Sequence, residues 1–234
     1  MGLRMIFGDF AKALAQLGDP RFLRVVLLGI ALSLALLTGV YALFLWGLDI
    51  LVPDDLGLPF IGEVQGLSSL VSWASALLML GLSVFLMIPV AALISGLYLE
   101  DVADAVEDRH YPHLPPVTPL PLAQSLVQAV NFFGVLVAVN FFALFLFLFA
   151  GPLVPLLFYG LNGWLLGREY FTLVAARRLG FDGAKAMRRV YSGRIWLAGC
   201  LMAMPLSVPL LNLIIPVLGV ATFTHLFHRL WRQS

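Results

Sequence analysis

Residues 123–166 read AQSLVQAVNFFGVLVAVNFFALFLFLFAGPLVPLLFYGLNGWLL and contain no charged side chain. The segment GPLVP at 151–155 interrupts this apolar stretch and separates a long limb, 123–150, from a shorter one, 156–166. Proline removes a backbone donor and clashes with the preceding helical turn, so the interruption predicts a break between two helices. Residues 121–167 are therefore predicted to form an apolar helical hairpin that turns at the prolines.

The composition of the whole chain extends this apolar character. Of 234 residues, 61% are hydrophobic and 12% are charged, whereas a soluble domain has roughly 45–50% apolar and about 25% charged residues. The charged residues are too few to cover the surface of a soluble domain of this size, and a disordered chain would be far more polar. We therefore expect an integral membrane protein. The formal net charge of +1 gives no indication of nucleic-acid binding.

Two other uncharged runs are long enough to cross a bilayer. As a helix, 25–48 would measure roughly 36 Å, against a hydrocarbon core of about 30 Å. The second run, 64–99, is longer still and continues into acidic residues, so we predict one long helix whose acidic end projects into water. These runs predict spanning helices over 22–52 and 64–108.

The two ends of the chain lack a run of this kind. Residues 1–20 combine apolar side chains at helical spacing with charged ones, which predicts an amphipathic helix in the membrane interface. Near the other end, 195–204 would reach only about 15 Å as a helix, roughly half the hydrocarbon core. Pro205 and Pro209 follow this run, so we predict a second Pro-broken hairpin over 195–228.

The distribution of Lys and Arg predicts the orientation. None of them lies in the loop 53–66, which is therefore placed outside, with the N-terminus in the cytoplasm. Both hairpins then begin and end on the inner side and are predicted to be re-entrant. The predicted fold is a single all-α membrane domain, 1–234, with two long transmembrane helices, two re-entrant hairpins and an N-terminal interfacial helix.

Two arginines open the first predicted span. Arg21 and Arg24 lie at the N-terminal end of a helix, where free backbone N–H groups and the helix dipole attract anions. Arginine adds donors that bind an oxyanion through two parallel hydrogen bonds. The alternative is that both side chains anchor the topology by extending towards lipid headgroups.

The end of the first hairpin supplies further candidates for a pore or a hairpin contact. Arg168 and Glu169 follow directly on an apolar limb, where ionisable residues are often functional, although they also fit the point at which the hairpin leaves the lipid. Asn162 and Asn212 lie in apolar runs and are expected to hydrogen-bond across helices or to cap a broken one. The basic stretch 177–194 is expected to bind anionic lipid headgroups or to concentrate anions at a pore mouth.

No signature of catalysis, cofactor or metal binding accompanies these residues. The sequence has no HExxH, no C-x-x-C, no Gly-rich phosphate loop and no recognisable nucleophile–base set. The two histidine pairs, His110 with His113 and His225 with His228, lack further ligands at a metal-binding spacing. We therefore expect neither an enzyme nor a cofactor or metal site.

Several motifs resemble the CysZ-type sulfate permeases, which share an etoposide-induced-protein-like domain. The similarity covers nearly the whole chain, and its parts stand in the family's order. The segment 20–24 reads PRFLR where the family has a glycine followed closely by two adjacent arginines. The motifs that carry the resemblance are Asp19-Pro20, the acidic helix end around Glu107 and Arg109, GPLVP at 151–155, NGWLLGREYF at 162–171 and PLLNLIIP at 209–216.

The resemblance implies a function and an assembly. It implies a permease for sulfate or a similar small anion in the bacterial inner membrane, which supplies sulfate for assimilation and works as a homo-oligomer. Transport would be passive or ion-coupled, because the sequence has no nucleotide-binding motif. The alternative is a non-transporting membrane protein that organises lipid or partner proteins through shallow hairpins and a polybasic face.

Overall fold

The computed structural model describes residues 2–51, 99–117, 121–207 and 214–233. Within these ranges the chain is helical and contains no β-strand, as predicted. The helices are α1 (Gly2–Ala15), α2 (Pro20–Leu51), α3 (99–110), α4 (Leu122–Ala150), α5 (Val154–Val190), α6 (Ser192–Ala203) and α7 (Ile215–Trp231), with 3-10 turns at Gly151–Leu153 and Met204–Ser207.

The chain divides into two compact units. One comprises residues 1–27 and 93–234, and the other comprises residues 28–92. Within the second unit the structure describes 28–51, where α2 continues as helix. The predicted spanning helix 64–108 lies mostly outside the described residues, and only its acidic end is seen, as α3.

The helix boundaries near prolines lie where the sequence predicts them. The second helix begins at Pro20, and the Asp19 carboxylate accepts a hydrogen bond of 3.0 Å from the Arg21 backbone N–H. The first apolar limb ends at Ala150, where Gly151 takes a left-handed conformation with φ of 49°. The break predicted at GPLVP is therefore confirmed. Glycine suits this position because it adopts the backbone geometry without a Cβ clash.

The fifth helix extends well beyond the predicted end of the first hairpin at 167. It continues through the basic stretch to Val190, because no proline stops it there and charged side chains are compatible with a helix. Its two limbs are separated by Gly180, which has φ of 68° and ψ of 172°. Only glycine adopts this backbone conformation readily, so the kink depends on that residue.

The core of the larger unit surrounds α7. This helix packs against α1, α5 and α6, and nearly every side chain between Ile215 and Leu230 is buried. Aromatic rings join it to α5, with centroid distances of 6.1 Å for Tyr170 and Phe223 and 6.3 Å for Phe171 and Phe227. Such pairs add to the stabilisation that burial of the rings already provides.

The closest helix contact joins α5 and α6. Gly163 and Gly167 of α5 face Gly199 and its neighbours on α6, and a Cβ atom on Gly199 would overlap the carbonyl oxygen of Gly163. Small residues four apart allow two helix backbones to approach in this way. The spacing of the glycines thus fixes how α6 lies on the first limb of α5.

Helix α4 exposes a large apolar surface. Among the described residues, one helical stretch, Val130–Val190, is long and apolar enough to cross a membrane by length and composition. Its first part, in α4, exposes most of its large side chains, with Phe141, Leu144 and Phe149 each more than two-thirds accessible. Such a surface fits contact with lipid, because a soluble monomer rarely exposes a continuous apolar patch of this kind.

We predict that Gly199→Ala destabilises the protein by about 1–3 kcal/mol, because the added methyl group meets backbone that cannot rotate away. Gly160→Ala is the matched control, since nothing lies within 4 Å of a Cβ atom there. Thermal unfolding of both variants in detergent tests the packing. Equal unfolding temperatures for the two variants would contradict it.

Candidate anion-binding site

The kink at Gly180 returns the second limb of α5 to the first. Arg188 on the second limb donates a hydrogen bond of 3.2 Å from Nη1 to the Thr172 hydroxyl on the first limb. The kink thus places side chains near Val190 beside side chains of the NGWLLGREYF motif at 162–171. Residues far apart in sequence thereby form one site.

An arginine-rich pocket forms between the two limbs of α5 and the start of α6. Its volume is about 360 Å³. Among the described residues that line it, all charged side chains are arginines, and two tryptophans lie beside them. We call this site the arginine pocket, and its lining residues are Trp164, Arg168, Arg188, Arg189, Ser192, Ile195 and Trp196.

The walls of the arginine pocket are held by specific contacts. The Arg168 guanidinium lies 5.7 Å from the centre of the Trp164 ring, within the range of a cation–π interaction. Trp196 donates a hydrogen bond of 3.0 Å from Nε1 to the Gly160 carbonyl. The Nε atom of Arg168 is buried and has no hydrogen-bond partner among the described residues. The pocket therefore offers guanidinium donors whose positions are already restricted.

The predicted candidates near this pocket occupy different places. Arg168 lines it, whereas its neighbour Glu169 is partly buried and interacts electrostatically with Arg168 and Arg188. Asn162 donates a hydrogen bond of 2.8 Å from Nδ2 to the Phe158 carbonyl on its own helix. The other amide candidate, Asn212, lies outside the described residues.

The two arginines at the start of α2 differ from each other. The Arg21 guanidinium forms an ion pair of 2.7 Å with the Asp108 carboxylate of α3, and both side chains are exposed. Arg24 is exposed, and no ion pair or hydrogen bond joins it to another side chain in the described ranges. Neither residue lines the arginine pocket. Their role in binding an anion stays a prediction.

A buried ion-pair network lies elsewhere in the same unit. Arg178 Nε and Nη2 contact the two carboxylate oxygens of Glu107 at 3.0 and 2.6 Å, and His228 Nε2 lies 2.8 Å from the same carboxylate. Arg177 lies 4.0 Å from Glu107 and also pairs with Asp104. The side chains of Glu107, Arg177, Arg178 and His228 are all less than a tenth exposed.

Separate buried polar contacts hold helix α1 to α3 and α7. The Asp9 carboxylate pairs with Arg229 of α7 at 2.7 Å. Gln16 donates a hydrogen bond of 3.0 Å from Nε2 to the Ala105 carbonyl of α3. The amphipathic helix is thus fixed to the helical core on one side, while Phe7 on its other side is half exposed.

A comparison with protein families shows to which family the chain belongs. The family described as sulfate transporter CysZ/etoposide-induced protein 2.4, or EI24, matches residues 9–216. The chain belongs to the EI24 family. No curated protein sequence matched the chain. Together with the apolar stretch Val130–Val190, membership of the EI24 family identifies a membrane protein of the sulfate-transporter type.

The sequence of this EI24 protein did not reveal the ion-pair network. The basic stretch 177–194 was expected to face lipid headgroups or a pore mouth, but Arg177 and Arg178 are buried against acids of α3. Clustered charges usually indicate solvent exposure, and burial requires a partner. The partner Glu107 lies about seventy residues earlier, so only a three-dimensional structure relates the two clusters.

Burial and neighbouring charges shift the pKa values of Glu107 and Asp9. Burial alone would raise the pKa of Glu107, but hydrogen bonds from His228 and Arg178 and the charge of Arg177 lower it to about 2. Burial raises the pKa of Asp9 to about 6, although Arg229 and Lys12 act in the opposite direction. Both carboxylates are therefore ionised at neutral pH, and both of these ion pairs are then intact.

We predict that Glu107→Gln destabilises the protein at pH 7 and that this difference decreases in acid. A carboxylate with a lowered folded-state pKa contributes stability above its unfolded pKa and loses it as the pH falls towards the folded value. The contribution of Glu107 is on the order of 3 kcal/mol at pH 7 and declines below about pH 4.5.

Thermal unfolding of wild type and variant between pH 7 and pH 3 measures this difference. Asp108→Asn is the matched control, because its ion pair with Arg21 is exposed and such pairs contribute little to stability. A wild-type advantage over Glu107→Gln that stays constant across this pH range would contradict the assigned pKa.

Proposed function

We propose that this protein is an anion permease that takes up sulfate or a similar small oxyanion across a membrane. The observation that carries the proposal is the EI24 family match over residues 9–216, because the description of this family names a sulfate transporter. Transport is passive or coupled to an ion gradient. The absence of a nucleotide-binding motif from the sequence argues against a mechanism driven by ATP.

Charge and apolar surface support this proposal. The arginine pocket offers three guanidinium groups on the segment that directly follows an apolar limb. Arginine binds oxyanions through paired N–H donors, and a restricted guanidinium requires little reorganisation when the anion arrives. The exposed apolar side chains of α4 supply a surface that lipid can cover.

The arginines at the start of α2 fit an entry site. Arg24 is exposed and free of an ion pair with any described side chain, and the N-terminus of α2 adds backbone N–H groups that favour an anion. The Arg21–Asp108 pair lies at the same helix start. In this proposal Arg24 attracts the anion, and Arg21 positions the helix start against α3.

The assembly and location follow the family resemblance. We place the protein in a bacterial inner membrane as a homo-oligomer with a cytoplasmic N-terminus, two spanning helices and two re-entrant hairpins. Helix α1, amphipathic and half exposed, would lie in the interface, and Lys and Arg are absent from the loop 53–66. Anionic lipids would contact the exposed basic residues, such as Lys185 and Arg194.

One observation favours a second function, in which the protein organises lipid or partner proteins without transport. The exposed apolar side chains of α4 adjoin a helix on which Lys185 and Arg189 are exposed, and such an arrangement can wedge one leaflet. This function requires no water-accessible path for an anion. Flux measurements separate it from the permease.

We predict that the purified protein in liposomes takes up labelled sulfate faster than empty vesicles. Arg24→Ala should lower the initial rate at low sulfate by about tenfold, because it removes a charged donor from the proposed entry site. Arg4→Ala is the matched control, since this exposed arginine lies on α1, away from the start of α2. Uptake by the wild type no faster than by empty vesicles would contradict transport.

A further inference from the structure

We propose that the arginine pocket is a binding site for a doubly charged tetrahedral oxyanion of the sulfate or phosphate type. The site is formed only where the Gly180 kink brings the two limbs of α5 together with the start of α6. This site would belong to the proposed anion permease. Only the statement that the bound anion is also the transported one rests on that proposed function.

The charge of the site favours a divalent anion over chloride. Arg168, Arg188 and Arg189 line one cavity, and Glu169, which interacts with Arg168 and Arg188, offsets only part of their charge. Like charges held together repel each other, and a divalent anion relieves this repulsion more effectively than a monovalent one. The guanidinium groups need such a counter-charge.

The geometry of the donors favours an oxyanion. Each guanidinium presents several N–H groups in a fixed plane, which match pairs of oxygens on sulfate or phosphate. Arg168 is held against Trp164 with its Nε unpaired and buried, and Arg188 is held through Thr172. The Ser192 hydroxyl adds a neutral donor at the pocket wall. The donors therefore converge from both limbs of α5 and from α6.

The same chemistry has two possible sources, a free anion and the phosphate monoester of a lipid headgroup. A volume of about 360 Å³ holds a hydrated sulfate with room to spare. The lining residues Trp164 and Trp196 are partly exposed, and tryptophan is common at membrane interfaces. The experiment therefore includes a separate measurement for each source.

The first measurement is calorimetric titration of the full-length protein in uncharged detergent with sodium sulfate, at an ionic strength held constant with sodium chloride. We expect saturable binding by the wild type and a dissociation constant raised at least about tenfold in Arg189→Gln. Arg189 is exposed, so its loss should leave the fold intact. Arg168→Gln, at the other side of the pocket, should have a similar effect.

The matched control is Arg194→Gln. This arginine follows two residues after the pocket residue Ser192, but it interacts with Tyr191 and Gln233 and does not line the pocket. The Arg194→Gln substitution removes the same charge from the same region. The dissociation constant of this variant for sulfate should stay within about twofold of the wild-type value. Equal weakening by Arg189→Gln and Arg194→Gln, or no sulfate binding by the wild type, would overturn the proposal.

The second measurement adds a soluble short-chain phosphatidic acid, whose phosphate monoester can carry two negative charges, to the sulfate-bound protein. Retention of sulfate supports a site for the free anion. Displacement of sulfate from the wild type, together with binding of the lipid that is at least about tenfold weaker in Arg189→Gln, supports the same oxyanion site and assigns the lipid phosphate as its occupant. Displacement of sulfate by a lipid whose own binding is unchanged in that variant would contradict a common site.

Flux of labelled sulfate with the same preparations separates the two proposals. Sulfate binding that depends on Arg189 without any flux contradicts the permease but supports the pocket. Flux in the wild type with binding and transport both unchanged in Arg189→Gln contradicts the pocket but supports the permease.

Discussion

The ionised carboxylate of Glu107, buried against arginines, is the interaction on which the rest of the larger unit depends. A buried carboxylate is tolerated only when its charge and its lone pairs are satisfied, and here Arg178, Arg177 and His228 supply the partners. These partners come from α5 and α7, so one charge aligns three helices. Arg178 lies two residues before Gly180. Its pairing with Glu107 therefore also holds the kink at which α5 reverses towards the arginine pocket.

Much of the helical framework is predictable from local sequence. Pro20 and GPLVP at 151–155 mark helix boundaries because proline and glycine act on the backbone near their own positions. The course of α5 is less predictable, since a charged segment after an apolar limb suggests an end and Gly180 is one glycine among 21. The arginine pocket depends on that kink. Arg168 was a candidate from sequence, whereas Arg188 and Arg189 became its partners only in three dimensions.

The two arginine groups of α5 illustrate how the same residue type serves structure and binding. Arg177 and Arg178 are matched by acids and are buried, so they stabilise the arrangement of helices. Arg168, Arg188 and Arg189 share a cavity that no acid lines within the described part of the chain, and their excess charge favours an anion from outside. The distinction rests on the presence of a carboxylate partner, which sequence spacing does not reveal.

Binding of an oxyanion in the arginine pocket can be observed directly. Selenate is a close analogue of sulfate whose anomalous scattering locates it in a crystal of the protein. We expect an anomalous peak within hydrogen-bonding distance of the Arg168, Arg188 and Arg189 guanidinium groups. A peak found only at the N-terminus of α2 beside Arg24, with the arginine pocket empty at saturating selenate, would contradict it.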